Sequence, residues 1–195
     1  LLPSLLGSRI YREQLKDPGD PLFWCPLLAL LAGLREEEAL QLRTENFMSE
    51  DGVAYLVVRQ GAGQQVKSRP GRRRVPIHSE LIRLGLLRLV AARGRGRLFP
   101  GVVRGKSRGT LSETFTKTFG AYLTREKIKA PGLDFHALRS DFNTQMANAA
   151  VPVPQGVRGF LCGWGEETLG LADGTYLRGL RPLDRLRGAI EAIQI

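Results

Sequence analysis

The sequence is poor in the residues that build disulfide frameworks and metal sites. It contains two cysteines, Cys25 and Cys162, and two histidines, His78 and His136. Two cysteines are too few for a disulfide scaffold, and no close cysteine and histidine spacing is typical of a zinc site. Both cysteines lie in apolar stretches, so we expect two buried free thiols and no structural metal.

Long apolar runs are also absent. The longest, from Pro21 to Leu34, is interrupted by Pro26 and is too short to span a bilayer. The first six residues lack the charged leader and the cleavage site of a signal peptide. We therefore expect a location in the cytosol, associated with the nucleoid. A chain that begins with Leu1 rather than Met is expected to be a fragment.

Acidic residues are outnumbered by basic ones. The 29 Lys and Arg residues against 19 Asp and Glu give a formal charge of +10 and an isoelectric point near 10.3. This excess favours a polyanionic partner, and DNA, RNA and an anionic membrane surface all meet that description. The 195 residues suit one domain, and an apolar content of 43% is enough for a core.

The periodicity of apolar residues predicts a mainly helical chain with one small sheet. Predicted helices cover residues 22–32, 36–42, 79–92, 111–129, 136–149, 153–162 and 182–193. Predicted strands cover residues 53–59, 64–67 and 72–77, and the Gly- and Arg-rich residues 94–109 form an exposed loop. The predicted fold is therefore mainly α with a three-stranded antiparallel β-sheet, an α+β class.

Side chains suited to chemistry on a phosphodiester occur in four segments. They are Arg35 in Gly33-Leu34-Arg35 with Glu38 nearby, Lys67 in the basic run 67–74, His136 with Arg139, and Tyr176 after Gly163-Trp164. A phosphodiester under attack gains negative charge, and arginine offers a permanently charged planar fork that binds two phosphate oxygens at once. Each segment alone is more typical of a helix start, a solvated face or a packed aromatic. Only their combination and order indicate a function.

In that order the segments resemble the tyrosine recombinases, the phage-integrase superfamily, from about residue 20 to the C-terminus. The family typically carries an Arg in Gly-Leu-Arg-x-x-Glu-Leu, a Lys on a β-hairpin, His-x-x-Arg, Leu-Gly-(His or Trp) and a final nucleophilic Tyr. This sequence matches with Gly33-Leu34-Arg35 and Glu38, Lys67 before Val75-Pro76-Ile77, His136-Ala137-Leu138-Arg139, Gly163-Trp164 and Tyr176. The resemblance implies the catalytic-domain fold of that family.

The resemblance also implies a reaction. Arg35 and Arg139 would clamp the scissile phosphate, and Tyr176 would attack it to form a 3′-phosphotyrosine link. Lys67 would protonate the departing 5′ oxygen. Because the covalent link stores the energy of the broken bond, this chemistry needs no metal and no other cofactor.

Three further residues are implied to support that reaction. His136 would help to move the proton of the tyrosine hydroxyl, and Glu38 would orient the arginines. Trp164, which stands where many relatives have His, would donate its indole N–H to the phosphate or pack the site. Ser140 departs from the pattern, since many relatives have a second His there. Whether Tyr176 attacks within its own subunit or in a neighbouring one stays open.

Double-stranded DNA is the partner that the resemblance implies. The predicted phosphate contacts are basic residues of the hairpin and the following loop: Arg69, Arg72, Arg73, Arg74, Arg93, Arg95, Arg97, Arg104, Lys106 and Arg108. Residues 1–19 are expected to be a lead-in, or the linker from an N-terminal DNA-binding domain, and residues 20–195 the catalytic domain. The apolar face of residues 183–195 either packs on its own domain or docks on a neighbouring subunit, and self-association as a dimer or tetramer on DNA is expected.

The predicted function is a site-specific DNA recombinase of a phage or another mobile element. A type IB topoisomerase-like nicking enzyme would use the same chemistry without paired sites. A nonenzymatic DNA-binding module would keep the fold without the activity, but the complete set of candidate residues argues against it. A basic RNA-binding protein is disfavoured because the aromatic signatures of base stacking are absent.

Overall fold

A computed structural model describes residues 2–13, 17–61, 63–64, 72–164 and 183–194 of the chain. Three residues predicted to act on DNA, Lys67, Arg69 and Tyr176, lie outside the described residues. The mainly helical α+β fold that the sequence predicts is confirmed. Within the described residues, no helix is long and apolar enough to cross a membrane.

The core is built around one apolar helix. Asp20 caps this helix, which covers Pro21–Ala32, because its carboxylate accepts a hydrogen bond from the Leu22 N–H. Ten of the twelve residues of this helix are buried. The helix ends at Gly33 in the left-handed conformation, with φ of 62°, and a Cβ there would lie 2.5 Å from the Phe142 ring. Only glycine therefore fits this turn.

Nine further α-helices are present in the described residues, and the one over Phe135–Ala147 makes the most extensive contacts with the core helix. In chain order, the first two helices are α1 (Leu2–Leu6) and α2 (Arg9–Arg12), the core helix is α3, and then come α4 (Glu36–Leu40), α5 (Ser79–Leu84), α6 (Leu86–Arg93), α7 (Ser112–Arg125), α8 (Phe135–Ala147), α9 (Gln155–Cys162) and α10 (Leu183–Ile190). The single helix predicted over 79–92 is divided in two, because Gly85 adopts a φ of 102°. Residues 94–109 contain neither helix nor strand, as predicted.

The sheet has three antiparallel strands in the order β1 (Phe47–Glu50), β2 (Val53–Val58) and β3 (Arg73–Pro76). A two-residue turn at Asp51-Gly52, both with positive φ, joins β1 to β2. The number of strands is as predicted, but β1 was missed because its residues are mostly exposed and carry no apolar alternation. Of the predicted strand at 64–67, Gln64 forms only an isolated bridge with Gly61, and the rest lies outside the described residues.

Both ends of the described chain pack on the core. Leu5 of α1 is fully buried, and the Ser8 hydroxyl lies 2.6 Å from the Tyr122 hydroxyl of α7. At the other end, α10 packs against β3 and α9, and a ring nitrogen of His78 lies 3.0 Å from the Ile193 carbonyl oxygen. The apolar face of the C-terminal segment is therefore packed on its own domain. Cys25 and Cys162 are buried free thiols, as predicted.

The burial of α1 generates a stability prediction. Leu5→Ala should lower the free energy of unfolding by about 2–5 kcal/mol, because it opens a cavity at a fully buried position. Leu6→Ala, at the neighbouring partly buried position, should cost clearly less. Urea unfolding of the two variants measures the difference. Equal, small effects would show that residues 1–19 are only a loosely attached lead-in.

Candidate active site

The candidate site is centred on the carboxylate of Glu38, the third residue of α4. Its oxygens accept hydrogen bonds from the Arg35 backbone N–H at 2.9 Å and from Arg35 Nη1 at 2.8 Å. Arg73 donates through Nη2 at 2.9 Å and Nη1 at 3.3 Å. Arg139 Nη1 lies 3.8 Å from Oε2 of the same carboxylate. Side chains from α4, β3 and α8 thus converge on one buried acid.

The same three arginines also donate hydrogen bonds to backbone carbonyls at the end of α9. Three successive carbonyl oxygens each accept from a different side chain: Leu161 from Arg73 Nε at 2.6 Å, Cys162 from Arg139 Nη2, and Gly163 from Arg35 Nη2 at 3.3 Å. The last carbonyls of a helix have no partner within the helix and carry partial negative charge. A cationic side chain at that position satisfies them and is itself stabilised.

The end of α3 supplies one further anchor. The Gly33 carbonyl oxygen accepts from Arg139 Nη1 and from Arg73 Nη2, the latter at 3.4 Å. Gly33 immediately precedes Leu34-Arg35, so the left-handed turn that ends the core helix also sets the position of the first candidate arginine. The ends of α3 and α9 therefore determine where the guanidinium groups lie.

The cluster carries more positive than negative charge. Three guanidinium groups face one carboxylate, which leaves two positive charges unbalanced among these four side chains. Burial lowers the pKa of Arg139 to about 10, and the charges of Arg73 and Arg35 act in the same direction. Burial alone would raise the pKa of Glu38, but Arg73 and Arg35 together lower it to about 2. Such a site stabilises a bound anion.

The three arginines differ in their access to solvent. The side chain of Arg35 is 29% exposed, that of Arg139 is 5% exposed, and that of Arg73 is completely buried. The hydrogen bonds of Arg35 described above use one hydrogen on each Nη, and each Nη carries two. An anion approaching from solvent would therefore meet Arg35 first and Arg139 just below the surface.

His136 and Trp164 lie beside this cluster along the chain. His136 is exposed in the first turn of α8, one helical turn before Arg139. Trp164 directly follows Gly163, is half-buried and packs against the core, and its backbone N–H donates to the Gly159 carbonyl at 2.9 Å. The structure thus brings together Arg35 and Arg139, places Trp164 directly after the carbonyl that Arg35 contacts, and places His136 on the helix that carries Arg139. Within the described residues, no group of His, Cys, Asp and Glu side chains is arranged to hold a metal ion.

Most of the residues predicted to contact DNA lie on the surface. Arg72, Arg95, Arg104, Lys106 and Arg108 are exposed. The loop that carries the last three adjoins the end of the hairpin, because Arg104 Nη2 donates to the Gly63 carbonyl at 3.1 Å.

Three further predicted contacts are held by neighbouring groups. Arg74 is paired with Glu50 at 2.8 Å, Arg93 lies 3.8 Å from Asp17, and Arg97 donates to the Val102 carbonyl at 2.8 Å. Each of the three therefore has a partner in the absence of DNA.

Arg73 requires a correction. The sequence predicts a DNA contact, but the side chain is completely buried against Glu38, so it is not a surface contact. A signal for this position existed: in β3 the residues Arg73 and Val75 are buried and Arg74 between them is not. The period of two along a strand puts Arg73 on the same face as the apolar Val75.

Comparison with known proteins adds independent findings. A sequence model of the phage integrase family matches residues 24–157. The structure of the integrase from mycobacterium phage Brujita is similar, with a TM-score of 0.58 and 19% identity over 99% of this chain and 55% of that chain. No curated protein matches in sequence.

Two DNA-bound structures are also similar. For the XerH site-specific recombinase bound to difH substrate, in a pre-cleavage complex, the TM-score is 0.58 and the identity 16%, over 91% of this chain and 50% of that chain. For the Tn1549 transposon integrase in complex with transposon right end DNA, the TM-score is 0.54 and the identity 19%, over 97% of this chain and 62% of that chain. The structural similarity at these low identities shows a shared fold. This chain spans between 50% and 62% of the length of the three proteins.

The lowered pKa of Glu38 generates a prediction for acid stability. A carboxyl whose pKa falls from 4.5 to about 2 on folding stabilises the protein above pH 4.5, and this contribution is lost as the pH falls toward 2. Urea unfolding should therefore show Glu38→Gln less stable than the parent by on the order of 3 kcal/mol near neutral pH, with the gap closing in acid.

Glu50→Gln is the matched control, because Glu50 pairs with Arg74 at the surface and its side chain is 50% exposed. Its loss should cost less than about 1 kcal/mol. A gap for Glu38→Gln that stays constant from neutral pH down to about pH 2 would contradict the ion pairing described here.

Proposed function

The chain belongs to the phage integrase family, and on that premise we propose that it is the catalytic domain of a site-specific DNA recombinase. It cleaves and rejoins double-stranded DNA through a 3′-phosphotyrosine intermediate formed by Tyr176. The observation that carries this proposal is the convergence of Arg35 and Arg139 on Glu38 and on adjacent carbonyls of α9. Two guanidinium groups held this close can bind the same phosphate.

Charge stabilisation by fixed arginines is the main catalytic effect in this proposal. The scissile phosphate gains negative charge as the tyrosine oxygen attacks, and Arg35 and Arg139 are already oriented before that charge develops. Preorganised donors of this kind need no rearrangement during the reaction. Removing one of them raises the barrier by roughly 3–4 kcal/mol, on the scale of a lost oxyanion-hole donor.

Bonds and protons are both conserved in the proposed cleavage step. The Tyr176 oxygen forms a bond to phosphorus while the bond from phosphorus to the 5′ oxygen breaks. The tyrosine proton leaves with the help of His136, and Lys67 supplies the proton that the 5′ oxygen takes up. Rejoining is the reverse reaction with a new 5′ hydroxyl, so the number of phosphoester bonds is conserved and no external energy source is required.

Glu38 and Trp164 support the reaction in this proposal. Glu38 fixes Arg35 through both its backbone and its side chain, which is the role of a carboxylate that orients a catalytic group. Trp164 directly follows Gly163, whose carbonyl accepts a hydrogen bond from Arg35. It would contact the phosphate or shield the site from water.

DNA binding in this proposal uses the basic surface beside the hairpin. Its exposed members, Arg72, Arg95, Arg104, Lys106 and Arg108, contact phosphates rather than bases, so binding should weaken steeply with added salt. Dimers or tetramers would assemble on paired sites. The DNA in the XerH and Tn1549 structures supports a duplex as the partner.

Replacing the proposed nucleophile gives a direct test. Tyr176→Phe should abolish covalent attachment to a nicked suicide substrate, since it removes the attacking oxygen, while DNA affinity stays nearly unchanged. A denaturing gel measures attachment. Tyr55→Phe is the matched control, because Tyr55 lies in β2, where its hydroxyl donates to the Met48 sulfur at 3.8 Å; it should form the covalent band. A covalent band from Tyr176→Phe would reject this nucleophile.

The proposed chemistry also predicts full cleavage of the suicide substrate in EDTA, because arginines rather than metal ions stabilise the phosphate. Loss of cleavage on chelation, restored by added magnesium, would indicate a metal-dependent nuclease instead.

Strand exchange between two duplexes is expected. Relaxation of supercoiled plasmid without strand exchange would favour a type IB topoisomerase-like enzyme.

A further inference from the structure

Arg73 is the least exposed of the charged residues in the cluster. It opens β3, and its side chain runs inward to lie between the sheet and the ends of α3 and α9. Fully buried arginines are rare, and one persists only where its hydrogen-bonding groups find partners. Arg73 donates to both oxygens of Glu38, to the Leu161 carbonyl and to the Gly33 carbonyl.

Each of these partners also belongs to the support of a phosphate-binding arginine. Glu38 binds the backbone and the side chain of Arg35. The Gly33 carbonyl also accepts from Arg139. Leu161 directly precedes the two residues whose carbonyls accept from Arg139 and Arg35. Arg73 therefore contacts all three chain segments that hold Arg35 and Arg139.

A purely structural ion pair accounts poorly for this arrangement. Buried ion pairs contribute little net stability, because the cost of removing both charges from water offsets their attraction. A third cation beside Arg35 and Arg139 adds repulsion, since the charges of Arg73 and Arg35 both disfavour the charged form of Arg139. An apolar residue at this strand position would stabilise the fold without that repulsion. Glu38 offsets part of this repulsion, and an anion bound in the site would offset more of it.

We propose that Arg73 is a positioning residue for the phosphate-binding arginines. Its planar fork fixes the Glu38 carboxylate and the end of α9, so that Arg35 and Arg139 point at one phosphate before DNA arrives. It also adds positive charge to the site without touching the phosphate. This inference rests on the proposed function, because it concerns the same cleavage step.

The test compares conservative variants of buried or partly buried arginines in single-turnover cleavage of the suicide substrate at saturating DNA. Arg73→Lys keeps the positive charge but loses the planar guanidinium group that donates several hydrogen bonds at once. The cleavage rate constant should fall roughly 100-fold, the scale of a misplacement of about 1 Å at a reacting centre, while DNA affinity changes less than about threefold. Rates are measured well below the melting temperature of each variant, so that loss of folded protein does not contribute.

Arg158→Lys is the matched control. Arg158 lies on α9 itself, is partly buried, and like Arg73 donates to both a side chain and a carbonyl, those of Asn143 and Val153. Its replacement perturbs the same helix without touching the cluster, and cleavage should stay within about threefold of the parent. A similar loss for both variants would show that Arg73 acts only through the general stability of α9, and would overturn the proposal.

A second readout separates positioning from a structural role. A methylphosphonate at the scissile position removes the negative charge that the arginines stabilise, so their alignment matters less. The deficit of Arg73→Lys relative to the parent should shrink from roughly 100-fold to less than about 10-fold on this substrate. A deficit of the same size on both substrates contradicts positioning.

The remaining outcomes are also decisive. If Arg73→Lys does not fold, Arg73→Gln is measured in the same way, and failure of both to fold would show that Arg73 is structural. If the parent cleaves and Arg35→Lys does not, but Arg73→Lys cleaves like the parent, only this inference fails. If the parent forms no covalent complex, the proposed function fails and the inference with it.

Discussion

The structure of the site depends on one buried carboxylate. Glu38 is held at a low pKa by the arginines around it, and it in turn holds Arg35 by two hydrogen bonds and Arg73 by two more. Without that acid, three guanidinium groups would lie together in a mostly buried space and lose the carboxylate that offsets their repulsion. The four side chains still carry an excess of positive charge. A compact fold retains such an imbalance at a cost, and in the proposed function the binding of a phosphate removes that cost.

The fold contributes two helix ends to the site. The core helix α3 ends at Gly33 and α9 ends at Gly163, both in the left-handed conformation, and both ends supply carbonyl oxygens to the arginines. The site thus lies where two helices end. This arrangement suits a long polyanion better than a small molecule, since the phosphate that it would bind belongs to a chain passing over the surface.

Much of the fold was predictable, because α3, α8 and β2 have strong apolar patterns and clear boundaries such as Asp20 and Gly33. The candidate residues were predictable from their order and from the resemblance. Their convergence was not, since Arg35 contacts Gly163 across 128 positions and Arg73 contacts Leu161 across 88. The glycines mark where the two helices end, but the sequence does not show which side chains donate to the carbonyls there. Arg73 was misplaced on the surface because basic neighbours on both sides obscured its inward register, and β1 was missed because exposed strands lack alternation.

The central claim is that Arg35 and Arg139 bind a single phosphate, and a crystal structure of the Tyr176→Phe protein with its DNA duplex tests it most directly. The account predicts guanidinium nitrogens of both residues within about 3 Å of non-bridging oxygens on the same phosphate, with Glu38 and Arg73 in their present contacts. Arg35 and Arg139 bound to different phosphates, or Arg139 still directed only at the Gly33 and Cys162 carbonyls with no phosphate oxygen in reach, would contradict it.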